Sequence, residues 1–182
     1  MCMCYDYTIA IAGAPADMGA LFALPGIGEG EEFRVGRLLE FLGVGHQFVD
    51  AQFFGKVGSR GPAGLVARAT TSRYRLDGML TVLSRRLPEL AVGWAMQGEG
   101  GYLTSEHVIL RGGLTVGEGI VQWAEAGDGG VALANPEDPD CAVLGVWGEL
   151  EQAARINDAD GFAAKYPHGI GGLAPVQEFA TA

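Results

Sequence analysis

The sequence predicts an α+β fold, in which an antiparallel or mixed sheet carries helices packed on one face. The prediction depends mainly on residues 70–111, where a strand end, a helix, a strand, a glycine turn and a returning strand follow one another. Apolar side chains alternate with small residues over 90–96, as in a strand, and recur at helical spacing over 79–87. Strands and helices elsewhere mix without strict alternation, which favours α+β over a parallel α/β arrangement.

The central helix has recognisable ends. Asp77 precedes the apolar stripe and is a candidate N-cap, because its carboxylate can accept free backbone N–H groups. Arg85 and Arg86 suit the negative end of the helix dipole, and Pro88 stops the helix since it has no N–H to donate. The inward stripe is expected to consist of Met79, Val82, Leu83 and Leu87.

Two helices are expected after the first strand, which covers residues 5–12. Pro15 suits an early helical position, where its missing N–H is not needed. A second amphipathic segment covers 31–42, with Phe41 among its inward residues and Gly43 as its end.

Residues 53–62 are rich in glycine and basic side chains, and we interpret them as a mobile loop. Further strands or strand-like segments are predicted over 46–50, 65–71, 114–125 and 141–147. The last helix candidate covers 149–166 and is expected to break near Asn157. We assign residues 1–166 to a single α+β domain and residues 167–182 to a C-terminal tail.

Composition limits the classes of partner. The chain has 182 residues and a net charge of −10, so neither a nucleic-acid backbone nor an anionic membrane is an expected partner. Charged residues make up only 19% of the chain and glycines number 30, which indicates an unusually apolar surface. Self-association or a protein partner would explain that surface. A glycine- and alanine-rich sequence from a high-GC genome is the alternative explanation.

The three cysteines do not form a disulfide framework, which favours a reduced intracellular setting. The first residues lack the basic segment of a signal peptide, and no stretch reaches the ~18 apolar residues of a membrane span. We therefore expect a cytoplasmic or virion-associated protein, with no secretion signal.

No cofactor, metal or catalytic site is assigned from the sequence. The glycine cluster 26–30 follows a helix and carries acidic neighbours, so we interpret it as a loop and not as a phosphate site. His46, His107 and His168 lack the spacing of metal ligands.

Nucleophilic catalysis has two conceivable arrangements. One is Cys141 with His107 and an acid, and the other is Ser105 beside Glu106 and His107. Neither has the sequence pattern of a nucleophile elbow, and a structural role for His107 is the simpler interpretation.

Two stretches resemble the Api92-like family of ferredoxin-like domains. The first is Cys4-Tyr5-Asp6-Tyr7-Thr8-Ile9-Ala10-Ile11-Ala12-Gly13, a strand preceded by a cysteine. The second runs from Thr70-Thr71 through the helix, Pro88 and the glycine hairpin to Leu110. The resemblance implies a ferredoxin-like fold and an origin in phages or mobile elements, and it supplies no catalytic residues.

Three functional hypotheses follow. The first is a non-enzymatic interaction or assembly protein, encoded by a phage or mobile element. The second is a small α+β enzyme with a dispersed active site, using His107, Glu106 and Cys141. The third, which follows from net charge alone, is an acidic inhibitor that mimics DNA and binds a protein target.

Overall fold

The computed structural model describes residues 4–27, 34–44, 54–72, 75–98, 103–126 and 129–165. They form an α+β fold around a seven-stranded antiparallel sheet with strand order β2-β3-β1-β4-β5-β6-β7. The strands are β1 (Cys4–Ala12), β2 (Phe54–Gly61), β3 (Gly64–Ser72), β4 (Ala91–Gly98), β5 (Thr104–Arg111), β6 (Leu114–Glu125) and β7 (Val131–Leu133). The helices are α1 (Pro15–Phe22), α2 (Val35–Leu42), α3 (Asp77–Arg86), α4 (Ala142–Ile156) and α5 (Ala159–Lys165), and a short 3₁₀ helix (Pro139–Cys141) precedes α4.

The first half of the chain has the order β1-α1-α2-β2-β3-α3-β4, a split β-α-β arrangement with one additional helix. Strands β5 and β6 extend the sheet from β4 by antiparallel hairpins, and β7 pairs with β6. The predicted α+β class with an antiparallel or mixed sheet is therefore confirmed, and the pairings of the described strands are antiparallel. The single-domain assignment stays a prediction, and the tail 167–182 and residues 46–50 lie outside the described residues.

Helices cover both faces of the sheet, so the prediction of helices on one face was wrong. Ile9 and Ile11 of β1 pack in one core with α1, α2 and α3, on what we call the α3 face. Ala10 and Ala12 of the same strand pack in a second core with α4 and α5, on the α4 face. Alternate residues of a strand point to opposite faces, and here both sets are apolar. The alanines leave little side chain to reveal a second core in the sequence.

The apolar segment 141–147 begins a helix and is not a strand. Val143, Val146, Trp147 and Leu150 recur at helical spacing and are buried in α4. The predicted break is confirmed, because Asn157 ends α4 in the left-handed conformation with φ 61°.

Residues 53–62 were predicted to form a mobile loop, but most of them form the edge strand β2. The pairing of β2 with β3 shifts between Val57 and Ser59, which marks a bulge. Glycines, cations and a bulge protect an exposed sheet edge from unwanted pairing, so the same composition suits an edge strand.

Two further details differ from the predictions for the helices. Leu76, and not Asp77, is the N-cap of α3, while Asp77 is its first residue. Phe41 is exposed on α2, where the Arg86 guanidinium lies 4.7 Å from its ring centroid. The predicted roles of Pro15 at the start of α1 and of Gly43 at the left-handed end of α2 are confirmed.

Helix α4 crosses the sheet over a line of glycines. A Cβ on Gly119 of β6 would meet Asp140 and Val143, and one on Gly93 of β4 would meet Leu150 and Trp147. On β3, a Cβ on Gly64 would overlap the backbone of Ala154. The missing side chains let the helix lie directly against the strands. The sheet surface beside this path stays uncovered by α4 and forms a groove.

Candidate ligand site on the α4 face

The α4-face groove is a concave region of about 530 Å³ beside α4. It is lined mainly by the side chains of Asp6, Thr8, Arg68, Thr70, Ala95, Gln97, Ser105, His107 and Trp123. These residues come from five neighbouring strands, from β3 to β6 across the sheet.

Strand register explains why the groove is hollow. Arg68 of β3 lies opposite Thr8 of β1, which lies opposite Ala95 of β4, which in turn lies opposite His107 of β5. Thr8 and Ala95 are small, so the middle of this cross-strand row leaves space above the sheet. The longer side chains of Arg68 and His107 stand at its two ends.

One end of the groove is formed by three hydrogen-bonded side chains. Trp123 donates its indole N–H to Ser105 Oγ over 2.9 Å, and Ser105 Oγ lies 2.9 Å from His107 Nε2. Ser105 and His107 are 4% and 5% exposed, and the imidazole packs edge-on against Trp147. This end of the groove is therefore closely packed.

The imidazole of His107 is uncharged at neutral pH. Burial lowers the pKa of His107 from 6.5 to about 4, and the carboxylate of Glu151 opposes this shift in part. Nδ1 of His107 is buried and has no hydrogen-bond partner among the residues that the structure describes, so protonation of both ring nitrogens would place a positive charge away from water.

The other end of the groove carries the charged groups. Thr70 donates its hydroxyl to Asp6 over 2.6 Å, which holds that carboxylate on β1. Among the described residues, no carboxylate forms an ion pair with the neighbouring Arg68 guanidinium. Arg68 is also exposed, so its N–H groups are available to a ligand.

A separate polar cluster lies on the α3 face. Tyr7 accepts the backbone N–H of Leu76 over 2.9 Å and donates to Asp77 over 3.0 Å. Burial, followed by the Asp77 carboxylate, raises the pKa of the Tyr7 hydroxyl above its usual 10.0. Arg75 connects Asp77 to both carboxylate oxygens of Glu106, each over 2.6 Å.

The structure does not bring His107, Glu106 and Cys141 together. Glu106 contacts Arg75 on the α3 face, whereas His107 lines the groove on the α4 face. Cys141 Sγ donates to the carbonyl of Asn135 over 3.3 Å, beside the start of α4. His46 and His168 lie outside the described residues.

Ser105 and His107 do lie together, but their arrangement suits binding better than nucleophilic attack. A general base works best with a pKa near the operating pH, and that of His107 is far lower. Trp123 also occupies a lone pair of Ser105 Oγ. The one sequence signal for this group is the alternation of Ser105 and His107 on a strand, because Trp123 joins them only through the pairing of β5 with β6.

The fold and the groove define an antiparallel α+β protein with a candidate ligand site on a sheet face. No protein-family model matches the chain, and searches of curated proteins and solved structures found no match. The described residues contain no group of three or more His, Cys, Asp or Glu side chains able to hold a metal ion. Within the same residues, no helix is long and apolar enough to cross a membrane.

Proposed function

We propose that this chain is a non-enzymatic interaction protein that self-associates through the β6–β7 end of its sheet. The supporting observation is that most of the large apolar side chains exposed in the described residues belong to this end of the sheet, where they are spread along the strands and over both faces. Within the described residues, six large hydrophobic side chains are exposed, and four of them lie on or beside the last three strands. Those four are Leu103, Leu114, Ile120 and Val131.

The apolar side chains are present on both faces of this end of the sheet. Ile120 lies opposite Glu106 in the pairing of β6 with β5, and therefore points to the α3 face. Val131 lies opposite Glu125, in register with Trp123, and points to the α4 face. Their exposed fractions are 56% and 58%. A partner that wraps the last strands would bury both.

The energetic gain is adequate for association if several such side chains are buried. Complete burial of one aliphatic side chain contributes about 1.5–3 kcal/mol, and a symmetric dimer buries each residue twice. Strand β7 has three residues, and pairing through so short an edge would add few backbone hydrogen bonds. Side-chain burial is therefore the main driving force in this proposal.

Light scattering over a concentration series tests the proposal. The wild type is expected to form a discrete oligomer, and Ile120→Glu combined with Val131→Glu is expected to shift it toward monomer. Ile156→Glu is the matched control, since Ile156 is 60% exposed at the end of α4, away from these strands. A wild type that stays monomeric at every concentration, or a control that dissociates equally, would contradict the proposal.

A phage or mobile-element assembly subunit is the setting that we propose for such a protein. The enzyme hypothesis has weaker support, because Glu106 and His107 face opposite sides of the sheet.

A further inference from the structure

We propose that the α4-face groove binds an elongated organic carboxylate, with the carboxylate on Arg68 and the apolar body extending over Ala95 toward Trp123. This binding site is separate from the β6–β7 surface and does not depend on self-association. Its chemistry follows from the order of side chains across the sheet.

The groove is polarised along its length. Strand spacings of about 4.8 Å place β3 and β6 about 19 Å apart, so its two ends can contact different parts of one ligand. Arg68 lies at the β3 end, and Trp123 lies at the β6 end with the neutral His107 nearby on β5. A ligand that matches this order has a charged head and an uncharged, partly aromatic or aliphatic body.

Arg68 is the group that selects an anion. Its planar guanidinium can donate two parallel hydrogen bonds to one carboxylate, which is stronger than a neutral hydrogen bond. Lys56 lies directly opposite Arg68 in the pairing of β2 with β3, so a second cation stands beside the guanidinium.

Asp6 restricts the kind of anion. Its carboxylate is fixed on the same face by Thr70, next to the Arg68–Thr8 pair in the strand register. A second or third negative charge on the ligand head would be repelled there. A single carboxylate is therefore favoured over a phosphate ester or a polyanion.

The size of the groove agrees with a small molecule. Ligand pockets typically measure about 300–1,000 Å³, and the groove measures about 530 Å³. Its floor consists of Thr8 and Ala95, so a larger side chain at either position would occupy the space that the ligand body needs.

The test uses 4-phenylbutyrate and its uncharged primary amide, 4-phenylbutyramide, as matched probes. Backbone amide NMR spectra of the wild type are recorded while each probe is titrated to millimolar concentration. With the acid, the resonances of residues lining the groove are expected to shift. The amide is expected to bind at least about tenfold more weakly than the acid. Arg68→Gln is expected to weaken binding of the acid about tenfold or more and to leave binding of the amide unchanged. Ala95→Leu is expected to abolish both titrations.

Arg37→Gln is the control, because Arg37 is an exposed cation on α2, on the other face of the sheet. It should bind the acid as the wild type does. Equal affinity for acid and amide, unchanged acid binding by Arg68→Gln, or no shift of the groove residues at millimolar acid would each overturn the assignment. A folded amide spectrum of Arg68→Gln excludes loss of structure as the cause of weaker binding.

Discussion

The Ser105 hydroxyl and His107 Nε2 lie 2.9 Å apart on one face of β5, while Glu106 between them forms its ion pair with Arg75 on the opposite face. The strand period of two causes this separation. Residues adjacent in sequence therefore belong to two different polar clusters, one on each side of the sheet.

His107 should make stability depend on pH. Its pKa is about 4 in the folded chain against about 6.5 when unfolded, so the unfolded state binds more protons between these values. The contribution of His107 is complete above pH 6.5 and is lost as the pH falls through 4, up to about 3 kcal/mol. Urea denaturation at pH values from 7 to 4 should show this loss. In His107→Gln the free energy of unfolding should depend less steeply on pH.

NMR provides a direct check on the same residue. The imidazole C–H resonances of His107 should still report a neutral ring at pH 5.5, where an exposed histidine is mostly protonated. A titration midpoint near 6.5 would contradict the buried, uncharged state.

Tyr7→Phe should destabilise the protein by about 1–3 kcal/mol, because it leaves the buried backbone N–H of Leu76 without an acceptor. Denaturant unfolding at pH 7 measures the change. Asp77→Asn keeps an acceptor for the Tyr7 hydroxyl and should cost less. A larger loss of stability for Asp77→Asn than for Tyr7→Phe would show that the Tyr7 hydroxyl is not the main group that stabilises the start of α3.

The Tyr7 hydroxyl also predicts behaviour in alkali. Because the pKa of Tyr7 is raised in the folded state, its hydroxyl contributes fully to the free energy of unfolding below pH 10. This contribution declines as the pH rises further. The decline should be smaller in Tyr7→Phe, and equal alkaline sensitivity of the two proteins would refute this explanation.

Gly64→Ala should destabilise the protein by more than about 2 kcal/mol, since its Cβ would overlap the backbone of Ala154 in α4. Gly145→Ala is the matched control within α4, where a Cβ meets nothing within 4 Å. That control should raise the free energy of unfolding by up to about 1 kcal/mol, because alanine favours a helix. Similar losses for both variants would rule out close packing as the reason for Gly64.

The ion pair between Arg75 and Glu106 should contribute little to stability despite its good geometry. Arg75 is 43% exposed, and exposed pairs typically contribute about 0–1 kcal/mol. A double-mutant cycle with Arg75→Gln and Glu106→Gln should give a coupling energy in this range, reduced further by salt. A coupling energy well above 1 kcal/mol would indicate that α3 depends on this connection.

Helices and strands with strong hydrophobic periodicity could be predicted from the sequence. The predicted strand 114–125 coincides with β6, and the predicted central helix overlaps α3, because alternation and helical spacing are clear there. The prediction fails where composition is ambiguous. An apolar run such as 141–147 suits a buried strand as well as a buried helix, and its length alone does not decide between them.

The groove could not be predicted, because it results from long-range strand pairing. Arg68 and His107 are far apart in sequence and enter one row only through the register of β3, β1, β4 and β5. Side-chain orientation could be anticipated for Ser105 and His107 within one strand, but the order of strands could not.

The position of α4 in the chain has a consequence for folding during synthesis. Helix α4 follows all seven strands in sequence, yet it contacts β1 through β6. Until α4 has been synthesised, the apolar residues of the sheet that it covers have no partner on that face. We therefore expect a chain stopped before residue 142 to expose one apolar side of the sheet and to aggregate.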